Sequence, residues 1–239
     1  MDTSFWNSLN SVIKLKHTKK QYFNKYLWRL EITCEFADLI DPKYTDMVAE
    51  VNHRRAKWKN INFGGSWRHV MAMTRNPNKV DFVLLLAIRK IKTLYKNDIK
   101  IRVEDPWIQF YTEDEQTLKA LANSLSNFDC IRTVTGPEPG TENLLTSNKI
   151  IAGNKTTHKY KIMIRDGSYT PALKQQILSL LDAQGDEVKI SQGLRHSLTR
   201  PYPGTWGLYF YTNDLGVTTM LNLMSPGIVG KIYEIVHTE

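Results

Sequence analysis

Residues 107–114 read WIQFYTED, and residues 206–214 read WGLYFYTND. Phe110, Tyr111, Thr112 and Asp114 recur as Phe210, Tyr211, Thr212 and Asp214 at a constant offset of 100. Each copy alternates residues in strand fashion and then meets a helix-starting pattern, so each predicts a strand running into a helix. A repeated unit constrains architecture more than any other feature, because both copies must serve equivalent places in the fold. The 239 residues leave room for two modules of about 100 residues each.

The elements around the repeat support this. Over 26–34, Trp28, Leu30 and Ile32 alternate with Arg29, Glu31 and Thr33, which predicts a half-buried strand. Helical spacing of Tyr44, Met47, Val48 and Val51 follows, and Asn76-Pro77 has the N-cap and first-turn residues of a second helix. Strands are expected at 99–103, 107–111 and 130–134, with a helix opened by a Thr112-x-x-Glu115 capping box between the last two. The order then recurs: strand 160–165, helix 171–183, strands 187–192 and 206–212, helix 214–224 and strand 228–236. The expected fold class is α+β, with two ferredoxin-like βαββαβ modules in tandem. The first (1–135) carries a helical insertion at 52–102 and a basic N-terminal arm or helix. Pro, Gly, Asn and Thr make 136–156 a linker, and 157–239 is the second module.

Charge is concentrated. The segment 52–102 holds thirteen Lys/Arg against Asp81 and Asp98, a net +11, while the whole chain carries +8; the remainder is therefore at −3. Within it, Arg54, Arg55, Lys57, Lys59, Arg68, His69 and Arg75 interleave with Trp58, Phe63 and Trp67 around Gly64-Gly65. Cations meet phosphates and aromatic faces stack on bases, so this segment is the main candidate nucleic-acid contact.

If Phe110 and Phe210 face the helices, then Trp107, Gln109 and Tyr111 in one module lie on the open sheet face. So do Tyr209 and Tyr211 in the other, with Lys161, Met163 and Arg165 beside them. Aromatics on central strands resemble RNA-recognition modules, and this resemblance implies base stacking on Tyr209 and Tyr211. The alternative occupant of such a face is another protein surface. The segment 191–205 is expected as a loop between two strands, carrying Arg195, His196, Arg200 and Tyr202. Paired ferredoxin-like modules also resemble the CRISPR repeat-processing (RAMP-like) endoribonucleases. That resemblance would imply metal-free cleavage with His196 as general acid or base, and residues 225–230 stand where that family has a glycine-rich loop.

No spaced carboxylate pair, metal-ligand His pair, Walker loop, dinucleotide fingerprint or nucleophile elbow is present, so no metal or cofactor is expected. The longest apolar run, 82–88, is too short to span a membrane. Cys34 and Cys130 are expected as buried free thiols. A non-enzymatic protein that binds RNA or single-stranded nucleic acid is the leading reading. A structural subunit of a larger viral or polymerase-type assembly is the second. The expected location is intracellular, in the host cytoplasm if the richness in Lys, Asn, Ile and Tyr marks a viral AT-rich genome.

Overall fold

A computed structural model of the chain describes residues 1–10, 12–59, 80–104, 106–152, 156–200, 204–205 and 207–237. The fold is α+β, with two five-stranded sheets and, among the described residues, seven α-helices. Two compact units divide it: Met1–Thr18 with Tyr26–Pro139, and Lys19–Lys25 with Gly140–Glu239.

In the first unit, α1 (Thr3–Leu9) and β1 (Lys14–Thr18) precede β2 (Trp28–Thr33). A 3-10 turn, Ala37–Ile40, leads to α2 (Met47–Lys59) and α3 (Phe82–Leu94). Then come β3 (Lys100–Glu104), β4 (Trp107–Thr112), α4 (Glu115–Leu125) and β5 (Ile131–Pro137). The sheet order is β1-β5-β2-β4-β3, antiparallel except that β1 runs parallel to β5. Trp28, Leu30 and Ile32 are buried while their neighbours are half-buried, as period two dictates. Leu30 opposes Phe110, and Ile32 opposes Ile108. Helix faces bearing Leu84, Leu85, Ile88, Leu118 and Leu121 close over them. The Trp28 ring lies against Gly136, where a Cβ would stand 2.1 Å from a ring carbon, so only glycine fits there.

The second unit contains β6 (Lys149–Ile151), β7 (Tyr160–Ile164), β8 (Gly167–Ser168), α5 (Pro171–Asp182), β9 (Val188–Ile190), α6 (Gln192–Thr199) and β10 (Gly204–Thr205). It ends with β11 (Tyr209–Thr212), α7 (Gly216–Met224) and β12 (Val229–Val236). Its main sheet has the order β6-β12-β7-β11-β9, with β6 parallel to β12, and β8 pairs with β10 apart from it. The strand plan of the first unit is thus repeated element for element, including a fifth strand parallel to the last. Ile162, Phe210, Leu181, Leu194 and Leu221 form its core. The segment Lys19–Lys25 belongs here because Ile151 N–H donates to the Lys19 carbonyl at 2.8 Å and Lys20 bridges Ile150.

Four local expectations are corrected. The 136–156 linker contains the end of β5, a 3-10 turn (Glu142–Leu144) and β6. The 191–205 loop begins as helix α6, because the Ser191 side chain accepts from Leu194 N–H and Leu194 and Leu198, one turn apart, are buried. Helix α3 is capped by Asp81, whose side chain accepts from Leu84 N–H; Asn76 and Pro77 lie outside the described residues. The cap of α4 is Asp114, accepting from Thr117 N–H at 2.8 Å, not Thr112. Thr112 instead bonds the Asp114 carbonyl, and Thr212 bonds the Asp214 carbonyl in the same way, so the repeated Thr-x-Asp is one turn used twice. Among the described residues, no helix is long and apolar enough to cross a membrane.

Candidate nucleic-acid interface

Register fixes which side chains share the open face of the second sheet. Phe210 pairs with Ile162 on the core side, so Tyr209 opposite Met163 and Tyr211 opposite Lys161 stand on the other side. Lys189 faces Tyr211 from β9, and Tyr233 faces Lys161 from β12. The Lys161 Nζ sits 3.6 Å from the Tyr209 ring centroid and 6.0 Å from that of Tyr211. The two tyrosine rings meet edge to face, with centroids 5.4 Å apart. From the strap, Lys20 Nζ stands 5.7 Å from the Tyr233 centroid. Burial, and then the positive charge of Lys20, lowers the Lys161 pKa. Burial, and then Tyr209, raises that of Tyr211, and burial raises that of Tyr233. The result is an aromatic floor with cations resting on it, a surface that can accept a base on a ring and a phosphate on an ammonium.

The open face of the first sheet differs at the equivalent positions. Gln109 and Tyr111 are both buried there. Tyr111 donates its hydroxyl to Gln109, and Gln109 donates to Glu31 at 2.9 Å. This chain of hydrogen bonds fixes the face internally.

The basic segment does not act as one surface. Arg54 donates to Asp38 at 2.8 and 3.1 Å and to Glu50 at 2.7 Å, and its guanidinium lies over Phe36 and Tyr44. Burial opposes that charge, but the bonds to Asp38 and Glu50 outweigh it and raise the Arg54 pKa. Arg54 is therefore a structural cation, tying α2 to the 3-10 turn. Arg89 likewise donates to the carbonyls of Leu39, Asp41 and Tyr44. Arg55 is half-buried on α2 and bonds Asn52. Lys57, Trp58 and Lys59 lie at the end of α2, with side chains outside the described residues, and Trp67, Arg68, His69 and Arg75 fall wholly outside them.

Arg195, His196 and Arg200 are not gathered with Tyr209 and Tyr211. Helix α6 packs Leu194 and Leu198 into the core side of the sheet, and Arg195, His196 and Arg200 are exposed beyond it. Arg195 forms an ion pair with Asp182 at 2.6 Å, which raises its pKa. No side chain among the described residues hydrogen-bonds the His196 ring, so the arrangement supplies no partnered acid–base pair. Among the described residues, no group of three His, Cys, Asp or Glu is placed to hold a metal ion.

Sequence reasoning did not find Lys20, Tyr233 or Lys189. Lys20 was legible only as one of many N-terminal lysines, and Tyr233 required the pairing of β12 with β7. Nor did it find Lys174, which is 1% exposed on α5 and donates to the carbonyls of Ser197 (2.9 Å) and Arg200 (3.2 Å). Those carbonyls end α6, so a buried ammonium meets the negative end of that helix. No protein-family model, curated protein or solved structure matches the chain.

Proposed function

We propose that this chain binds single-stranded nucleic acid, RNA or DNA, without catalysing a reaction, and that its two units are copies of one ferredoxin-like βαββαβ module. The shared strand order, the added parallel strand and the twice-used Thr-x-Asp turn support the duplication. The observation that carries the binding reading is Lys161 at 3.6 Å over Tyr209, on a face shared with Tyr211 and Tyr233. Unpaired bases are required, because a ring cannot stack on a base already inside a duplex. The 52–102 segment adds long-range attraction through its net charge of +11.

Fluorescence anisotropy with a labelled 15-nucleotide strand tests this. Affinity should fall steeply with salt. Replacing Tyr209 and Tyr211 together with Ala should weaken binding by about tenfold or more, since each stacked base is worth about 1–3 kcal/mol. Salt-independent binding, or a double variant that binds like the native chain, would sink the reading.

The assembly-subunit reading has its own observation. On α7, Leu223 is 80% and Met220 49% exposed, an apolar strip with no cover inside the unit. It predicts co-purification with protein after nuclease treatment. For the His196 endoribonuclease the prediction is metal-free cleavage abolished in His196→Ala; the isolated ring supports it least.

A further inference from the structure

The open face of the second unit receives two ammonium groups from distant parts of the chain. Lys161 leaves the centre of the sheet, opposite Tyr233 on one side and Tyr211 on the other. Lys20 arrives from the strap that bridges Ile150 at the sheet edge, and its Nζ overhangs Tyr233 at 5.7 Å. Both cations therefore overhang one row of rings and stand near each other: burial and the charge of Lys20 disfavour the charged form of Lys161. Lys161 makes no ion pair among the described residues, and Glu234 on β12 is already taken by Lys149 at 3.5 Å. Two like charges held together over aromatic rings are stabilised by an anion placed between them, through charge-assisted hydrogen bonds from both.

We propose that Lys20 and Lys161 together clamp a single phosphodiester of the bound strand, while Tyr211 and Tyr233 take the flanking bases. This rests on the nucleic-acid reading and adds the part of the polymer recognised at its centre. A shared phosphate has a signature that two separate contacts lack. Each neutralised phosphate contributes about 0.7 to the slope of log affinity against log salt for a single strand. With one lysine left, a shared phosphate is still neutralised.

The test is salt-titrated anisotropy of the full chain with a labelled 15-nucleotide RNA. Lys20→Gln, Lys161→Gln and the double variant are compared, with circular dichroism as a check on folding. The clamp predicts that each single variant keeps nearly the native slope, and that the double variant loses about 0.7. It also predicts that Lys161→Arg, which keeps the charge, restores the slope in the Lys20→Gln background. A loss of about 1.4 in the double variant means two independent phosphates and overturns the clamp. An unchanged slope in the double variant overturns it too, leaving the binding reading intact. A native chain that binds no strand overturns both.

Discussion

The two sheets share a strand order but spend their open faces differently. In the first, Tyr111, Gln109 and Glu31 bond one another, and the centre of the face is buried. In the second, Tyr209 replaces Gln109 at the same offset, no such chain forms, and Lys161 rests on the rings instead. The helical additions also differ in place. The first unit inserts α2 and α3 between its first two central-plan strands, β2 and β3, and the second inserts α6 between β9 and β11. A duplicated scaffold thus keeps its core and turns, and diverges in one polar residue and in the connection that was lengthened. The divergence falls where a ligand would be met, and the identity falls where packing is decided.

That contrast can be broken at several strengths. The strongest test is at the shared core: Phe110 and Phe210 are both fully buried at matching positions. Replacing either with Ala should cost about 3–5 kcal/mol, and the two costs should agree within about 1 kcal/mol if the cores are equivalent. Urea unfolding followed by circular dichroism measures both; a cost near zero at either position would deny that the cores match. Next is a feature confined to the second unit. Lys174→Met should cost about 2–3 kcal/mol, because it leaves the carbonyls of Ser197 and Arg200 buried without their donor. A neutral outcome would mean water replaces the ammonium there.

A feature of the first unit is pH-dependent. Burial pushes the Cys130 thiol up to about 11 from 9.0. The folded state keeps its proton longer than the unfolded chain does, so the stabilising contribution is full below pH 9.0 and is lost as pH rises through about 11. The loss is about 2–3 kcal/mol. Cys130→Ala should flatten the alkaline limb of the stability profile, and an unchanged limb would show that Cys130 does not carry it. The smallest test is at the shared turn. Asp114→Ala removes a true helix cap and should cost about 1 kcal/mol. Asp214 accepts only from Gly216, in a turn before α7, so Asp214→Ala should cost less; thermal melts that reverse the order would exchange the two roles.

Strands and cores were legible because period two leaves a mark within a few residues, as at Trp28, Leu30 and Ile32. The repeat made the second sheet readable from the first. Helix α6 was missed although Ser191 and the Leu194–Leu198 spacing were its signal, because Gly193 and the prolines beyond it read as loop. Strand β6 has three residues, too few for any period, within a stretch of turn formers. The face orientation of Tyr209 and Tyr211 followed from alternation, but Lys20 depended on a bridge to Ile150, a partner 130 positions away. Nothing local distinguishes Lys174 from a surface lysine; only the position of the α6 carboxyl end does. For Arg54, basic charge in sequence suggested a free cation, while Asp38 and Glu50 claim it in the fold.

The strap Lys19–Lys25 has a consequence for how the chain is made. It emerges from the ribosome early, yet the residues it bonds, Asn148, Ile150 and Ile151, follow more than a hundred positions later. Everything the first unit needs, through Pro137, is synthesised before they appear. The strap therefore waits as an open loop through most of translation, and the last step of assembly closes a segment made near the start. For the same reason one protease cut after Pro139 would not yield the second unit whole, since the cut leaves its first seven residues on the other fragment.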